Sequence, residues 1–376
     1  MPTATDAAAP AVAPAAAKRV RSWRRSNGAG WTLAAPAVLL LGVFAVVPVV
    51  LALTLGFTNA RLISPEPARN VGMENFARLL GVATLEVKAE RNDDGSIMRY
   101  EGEIEWQSIR TYTKSTSEYP QYRGKSELWS FNVDEEAGTK TVLLAGDPIF
   151  WKSLRNTLYF TLVVVPVQGG LGLLLAMLVN SKLRGRNFFR TAYFIPTLTS
   201  IVVVSMLWLF MYQPDGLINQ GLSSVIPGYQ AIDWLNDPKW SMPAIILLSV
   251  WQAVGFHMII WLGGLQTIPG ELYEAAKMDG AGAWNQFRYV TIPGLRHTFV
   301  FVFITITIAA LGLFAQINVM TQGGPLDSTT TIVFQAVQQG YGKQQVGYGA
   351  AISFVFFVLV LVIALMQRFL TRKIDV

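Results

Sequence analysis

The sequence contains no cysteine, so it can form no disulfide, thiolate metal site, iron–sulfur cluster or cysteine nucleophile. Its two histidines, His257 and His297, stand well apart, which argues against a histidine-rich metal site. Charge is scarce: Asp, Glu, Lys and Arg make up 14% of the 376 residues, against roughly 25% in ordinary globular domains. There is no Gly-x-x-x-x-Gly-Lys-Ser/Thr phosphate loop, and Gly340-Tyr341-Gly342-Lys343 is a weak echo of one, so the chain is not expected to hydrolyse nucleotide itself. Apolar residues fill the place of charge, at 52% of the chain with a mean hydropathy of +0.38. They concentrate in long uncharged stretches, as in a chain partly surrounded by lipid. The net charge of +6 reflects basic residues flanking those stretches, which indicates membrane topology rather than nucleic-acid binding.

Six stretches reach the roughly 20 residues that a helix needs to cross the hydrocarbon core. They run from Trp31 to Leu55, Leu154 to Val179, Thr191 to Tyr212, Met242 to Leu265, Phe299 to Met320 and Gly347 to Met366. Met1 to Ala17 is almost wholly Ala, Pro and Thr, too poor in bulky apolar surface to order, so residues 1–30 read as a disordered basic tail. The first apolar stretch is longer than a signal-peptide core and reads as a retained anchor over 31–57. Six spans place both termini on one side of the membrane. The segments sharing that side are basic: Lys182, Arg184, Arg186 and Arg190; then Lys277, Arg288 and Arg296; then Arg368, Arg372 and Lys373. The opposite short loops, 213–241 and 321–346, carry one lysine each, Lys239 and Lys343. By the positive-inside rule both termini are expected in the cytoplasm.

Residues 58–153 then fall outside the cell membrane as an insertion between the first two spans. Within it, about 82–145 is polar, with alternation from Arg99 to Trp106 and a turn signal at Asp93-Asp94-Gly95, which predicts a small β-rich unit; a loosely structured loop is the other reading. The expected fold class is therefore an all-α polytopic membrane protein with a small β-rich extracytoplasmic insertion, the five remaining helices occupying 154–376.

No span holds an Asp, Glu, Lys or Arg in its interior, which disfavours ion-coupled carriers, since those retain a costly intramembrane charge to move ions. His257 is the sole titratable group inside a span. No selectivity element or internal repeat suggests a channel or stand-alone carrier, and no cluster of carboxylates, histidines or metal ligands suggests a membrane-embedded enzyme. Energy for pumping would have to come from another polypeptide docked on a cytoplasmic loop.

The loop between the fourth and fifth spans, about 266–297, holds such a docking signal. From Glu274-Ala275-Ala276 the sequence runs through Asp279 and Gly280 to Val290-Thr291-Ile292-Pro293. Pro269-Gly270 precedes Glu271, an acid suited to a first helical turn, and Gly280 can end the helix, so Glu271 to Met278 is predicted as a short helix. The pattern resembles the EAA loop of importer permeases in the ATP-binding-cassette superfamily, with Val290 and Ile292 where Ile and Leu are commoner. The resemblance implies a coupling helix gripped by ATPase subunits, with Glu274, Ala275, Ala276, Asp279, Gly280 and Pro293 as the matching positions.

Further stretches are similar to the permeases of carbohydrate importers: Asn187 to Pro196, Trp208 to Asn219 with its Pro214-Asp215-Gly216 turn, and Thr321-Gln322-Gly323-Gly324-Pro325. That likeness covers about Trp31 to Val376 apart from the insertion. It implies a transporter subunit, not an enzyme, in the bacterial plasma membrane. The implied partners are a second homologous permease, two ATP-binding-cassette ATPase subunits that hold ATP and Mg, and an extracytoplasmic solute-binding protein contacted by the insertion. The implied cargo is a sugar or oligosaccharide, with a non-sugar solute such as glycerol phosphate as the alternative; no cofactor is expected in this chain. Sugar sites combine aromatic faces with amide or hydroxyl groups, and the fourth and fifth spans offer Trp251, Gln252, Phe256, His257, Gln316 and Asn318. The asparagines used by the maltose permease on its fifth span fall here at Ala310 and Leu313.

Overall fold

The computed structural model describes residues 23–114, 118–181 and 185–371. The tail residues 1–22, and Lys182, Arg184, Arg372 and Lys373 of the basic flanks, lie outside the described residues. The chain divides into two units, 1–51 and 52–376. In the first, the described residues are helical: α1 (Trp23–Leu41), a π-turn Gly42–Val46, and the start of α2 (Val47–Gly56). Pro48 supplies no N–H and its ring crowds the carbonyl four residues back. The widened turn just ahead of it, closed by Val47 N–H to the Gly42 carbonyl, fits that loss.

The second unit opens with the end of α2 and α3 (Glu74–Leu80). A three-stranded antiparallel sheet follows in the order β1-β5-β4, from β1 (Val82–Lys88), β4 (Ser126–Asp134) and β5 (Thr139–Ala145). β1 pairs with β5 from Val82 opposite Ala145 to Lys88 opposite Thr139. One face of the sheet buries Leu85, Val87, Val142 and Leu144 beneath Trp106, Tyr122 and the short α4 (Ile109–Lys114). The alternation from Arg99 to Trp106 belongs to a hairpin rather than one strand. β2 (Arg99–Tyr100) turns onto β3 (Glu103–Ile104) through Glu101 and Gly102 at φ 50° and 89°, the positive pair that a tight hairpin turn requires.

Among the described residues, five helices are long and apolar enough to span a membrane: Gly30–Gly56, Pro148–Asn180, Ser241–Gln266, Arg296–Met320 and Val346–Thr371. The stretch expected as a third span differs from a single straight helix. It forms α6 (Arg186–Leu198) and α7 (Ile201–Met211), bent by 99°. Pro196 removes one backbone donor near the end of α6, and Thr199 and Ser200 are extended (ψ 142° and 130°). The Thr197 hydroxyl donates to the Gln252 carbonyl at 2.9 Å, holding the elbow against the next long helix. The fifth stretch is also interrupted, into α13 (Arg296–Leu311) and α14 (Ala315–Met320). At the break, the Leu313 carbonyl accepts from the Thr331 hydroxyl at 2.8 Å.

Between these lie α8 (Leu217–Val225), α9 (Ser241–Gln266), α10 (Gly270–Met278), α11 (Ala283–Gln286) and α12 (Ile292–Gly294), and the chain closes with α15 (Ile332–Val337) and α16 (Val346–Thr371). The core lies where α5 (Pro148–Asn180), α9 and α13 meet, around Phe160, Ala176, Ile245, Met258, Trp261, Val302 and Ile306. Small residues permit the approach, as in membrane helix pairs: a Cβ on Gly172 of α5 would stand 3.2 Å from the Trp261 ring and 3.4 Å from the Met258 amide of α9. Outward residues such as Leu162, Phe210, Phe301 and Phe369 are exposed, as a lipid-facing surface requires.

Two buried polar hubs tie helix starts and loops of this unit together. Asp147 caps α5 by accepting from the Phe150 amide at 3.1 Å, and its other oxygen accepts from Gln335 at 3.0 Å and from Tyr348 at 2.5 Å. Asn219 of α8 accepts from Tyr229, Trp234 and the Ile232 amide and donates to the carbonyls of Gln213, Pro214 and Ile232. Loop backbone that would otherwise be unsatisfied is thereby paired.

Candidate coupling loop and translocation cavity

The loop after α9 begins as Thr267 stops the helix, its hydroxyl donating to the Gly264 carbonyl at 2.8 Å. Pro269 precedes α10, whose first turn holds Glu271 and last turn Lys277, both signs suiting the helix dipole. The helix ends on Gly280 at φ 76°. Gly280 N–H donates to Lys277 O at 3.0 Å and Ala281 N–H to Ala276 O at 2.9 Å, the paired bonds of a Schellman cap. The predicted helix, Glu271 to Met278, thus starts one residue earlier. Glu274, Ala275, Asp279 and Gly280 are exposed and Ala276 is half-buried.

The inner side of α10 is pinned to the returning limb. Tyr273 hydroxyl lies 3.0 Å from that of Thr291, and Gln286 donates to the Ala281 carbonyl at 2.7 Å. Pro293 sits in α12, where the chain turns towards α13. Outward stand Leu272, Met278, Trp284 and Tyr289, the last three each more than 65% exposed. Four bulky apolar side chains are thus left exposed on a loop that is itself braced from within.

The second feature is a cavity of about 350 Å³ among α5, the start of α7, α9 and the α13–α14 break. Its polar lining is Gln168, Ser249, Gln252, His257 and Gln316; its apolar lining includes Phe160, Val164, Ile306 and Phe314. Gln168 and His257 are buried, with the amide nitrogen 2.7 Å from ring Nδ1. The Ala253 carbonyl is 3.0 Å from the same nitrogen, so Nε2 is the ring nitrogen left to the cavity. Gln316 donates to Ser249 at 3.4 Å.

Of the six pathway residues read from the sequence, Gln252, His257 and Gln316 therefore come together here. Trp251 does not: its ring packs tilted against Trp208, with centroids 5.5 Å apart, and lines a separate apolar hollow in the α6–α7 elbow beside Ile195 and Pro196. Phe256 sits edge-on to the His257 ring at 5.2 Å without lining the cavity, and Asn318 is exposed elsewhere. Ala310 and Leu313 do line it, so no asparagine stands at those positions. Gln168 and Ser249 were missed, although a lone amide in an otherwise apolar span is a signal of function.

An apolar helical bundle with an uncharged polar cavity and a braced, protruding loop helix defines a membrane transport protein. Residues 168–376 match the model of the binding-protein-dependent transport system inner membrane component, and the chain belongs to that family. It is therefore a transporter subunit whose ATPase activity resides in a separate partner. A probable ABC transporter permease of Pyrococcus horikoshii is 39% identical over 61% of this chain and 79% of its own. The lactose transport system permease protein of Rhizobium radiobacter is 36% identical over 67% and 85%. The trehalose/maltose transport system permease protein of Thermococcus litoralis is 38% identical over 56% and 71%. Among solved structures, a bacterial alginate ABC transporter in complex with its alginate pentasaccharide-bound periplasmic protein matches with a TM-score of 0.56 and 25% identity, over 61% of this chain and 80% of that one.

Proposed function

We propose that this chain forms half of the path by which a sugar or oligosaccharide, delivered by a solute-binding protein, enters a bacterial cell across its plasma membrane. The named relatives that transport sugars support the cargo class over glycerol phosphate, and so does a cavity that mixes apolar walls with amides and a hydroxyl. A second homologous permease supplies the other half. In this reading α6 and α7 together make one bent span, giving six, with both termini cytoplasmic and 58–153 outside, where the sheet meets the binding protein.

The observation that carries the mechanism is the Glu274–Pro293 loop, whose helix α10 is Schellman-capped, braced and exposed. Two ATPase subunits, holding ATP and Mg, grip the α10 helices of the two permeases. Their closure moves the loops, and the spans switch between inward-facing and outward-facing states. The cavity is then the point that changes sides.

The absence of cysteine gives a clean test. In the assembled importer, Ala275→Cys and Ala276→Cys should each crosslink to the ATPase subunit, with a yield that changes when ATP binds. Labelling of these cysteines by an impermeant reagent from outside intact cells, or crosslinks to lipid alone, would refute the docking role.

A further inference from the structure

We infer that the cavity between α5, α9 and the α13–α14 break takes an uncharged glycoside and turns away uronates, phosphorylated or sulfonated sugars and amino sugars. This rests on the reading that the cavity is the translocation site. Its elements carry no formal charge near it. α5 has no Asp, Glu, Lys or Arg after Arg155, α7 and α9 have none, and α13 through α14 has none after Arg296. Among the described residues that line the cavity there is no Asp, Glu, Lys or Arg, and His257 is the one titratable side chain.

The groups present instead are ambivalent. Gln168, Gln252 and Gln316 each offer donors and an acceptor, Ser249 can do both, and His257 presents Nε2. A sugar hydroxyl is likewise both donor and acceptor, so this set can pair with it in either sense. The apolar walls, Phe160 among them, suit the C–H face of a pyranose ring. An ionised carboxylate, sulfonate, phosphate or ammonium would have to leave its hydration shell for a site without a countercharge, and three side-chain amides and a hydroxyl already engaged with one another or with backbone offset only part of that loss. The alginate importer, which handles an acidic polysaccharide, poses a demand that this half-site does not meet.

The test uses the whole importer, both permeases with an ATPase subunit unable to hydrolyse ATP, in detergent and without the binding protein, whose own selectivity would mask the result. Labelled maltotriose, cellotriose and mannotriose are compared with trigalacturonate, trimannuronate and the glucosamine trimer by equilibrium binding. At least one neutral trimer should bind about tenfold or more tighter than every charged one. Gln168→Leu and Gln316→Leu should weaken it, while Asn318→Ala should not. A charged trimer that binds as tightly as the best neutral one, and is weakened by the same two substitutions, would overturn the charge rule and leave the site standing. If no trimer binds, or if Gln168→Leu and Gln316→Leu change nothing, the cavity is not the site and the inference falls with it.

Discussion

Gly280 offers a way to separate what the chain needs for itself from what its partner needs. The residue sits at φ 76°, where an L-residue pays about 1–2 kcal/mol for the left-handed conformation. A Cβ built there meets no heavy atom within 4 Å, so this chain imposes no steric cost. Gly280→Ala should therefore loosen only the end of α10, shifting its population by about 5- to 30-fold through the strain alone. Gly280→Asn tolerates the same φ and should leave the cap nearly intact. Gly280→Trp carries the same backbone strain as Ala and adds bulk on a Cβ that points into open space, where a docked partner would meet it.

The assay is sugar uptake and ATP hydrolysis measured together in proteoliposomes holding the full importer. Membrane insertion should be unchanged in all three variants. Sugar moved per ATP should fall in the order Gly, Asn, Ala, Trp, with Trp at least tenfold below Ala. Equal coupling in Ala and Trp would show that nothing packs against Gly280 and would refute the docking argument; wild-type coupling in Trp would refute it outright.

Three further outcomes follow from the geometry. Asp147→Ala removes a helix cap worth about 1 kcal/mol and two hydrogen bonds to a carboxylate worth about 1.5–3 kcal/mol each. Thermal unfolding in detergent should show a loss of about 4 kcal/mol or more, and Asp147→Asn, which keeps an acceptor, a smaller one. Asn219→Ala strands several buried groups and should cost about 3–5 kcal/mol, with proteolysis appearing between 226 and 236. Gln168→Leu breaks one bond to His257, worth up to about a tenfold change; it should raise the KM for sugar while the binding protein still stimulates ATP hydrolysis.

The helix of the proposed coupling loop was legible because its determinants are contiguous. The acid at the start, the glycine at the end and the proline beyond all lie between Pro269 and Pro293, and each acts on its immediate neighbours, so reading in order recovers the helix to within one residue. Span positions were legible for a similar reason, since apolar length is a property of a window. The interruptions were not. The α6–α7 elbow depends on Thr197 meeting Gln252, 55 residues away, and the α13–α14 break on Thr331 reaching Leu313. In a hydropathy window Thr199 and Gly312 look like any other small residue of a span.

The lining of the cavity follows helix phase rather than aromatic chemistry. At about 100° per residue, Trp251 points some 200° round α9 from Ser249, whereas Ala253 and His257 lie within about 80° of it and share its face. Ser249, Ala253 and His257 form an i, i+4, i+8 stripe, and Phe160, Val164 and Gln168 form its counterpart on α5; all six line the cavity. Each stripe ends on its most polar member, and those two, 89 residues apart, meet at 2.7 Å. The sequence gives each stripe but not their alignment, which depends on Gly172 letting α5 lie directly against α9 one turn further on. A bulkier side chain there would part the stripes, and the cavity would lose its shape before it lost any polar group.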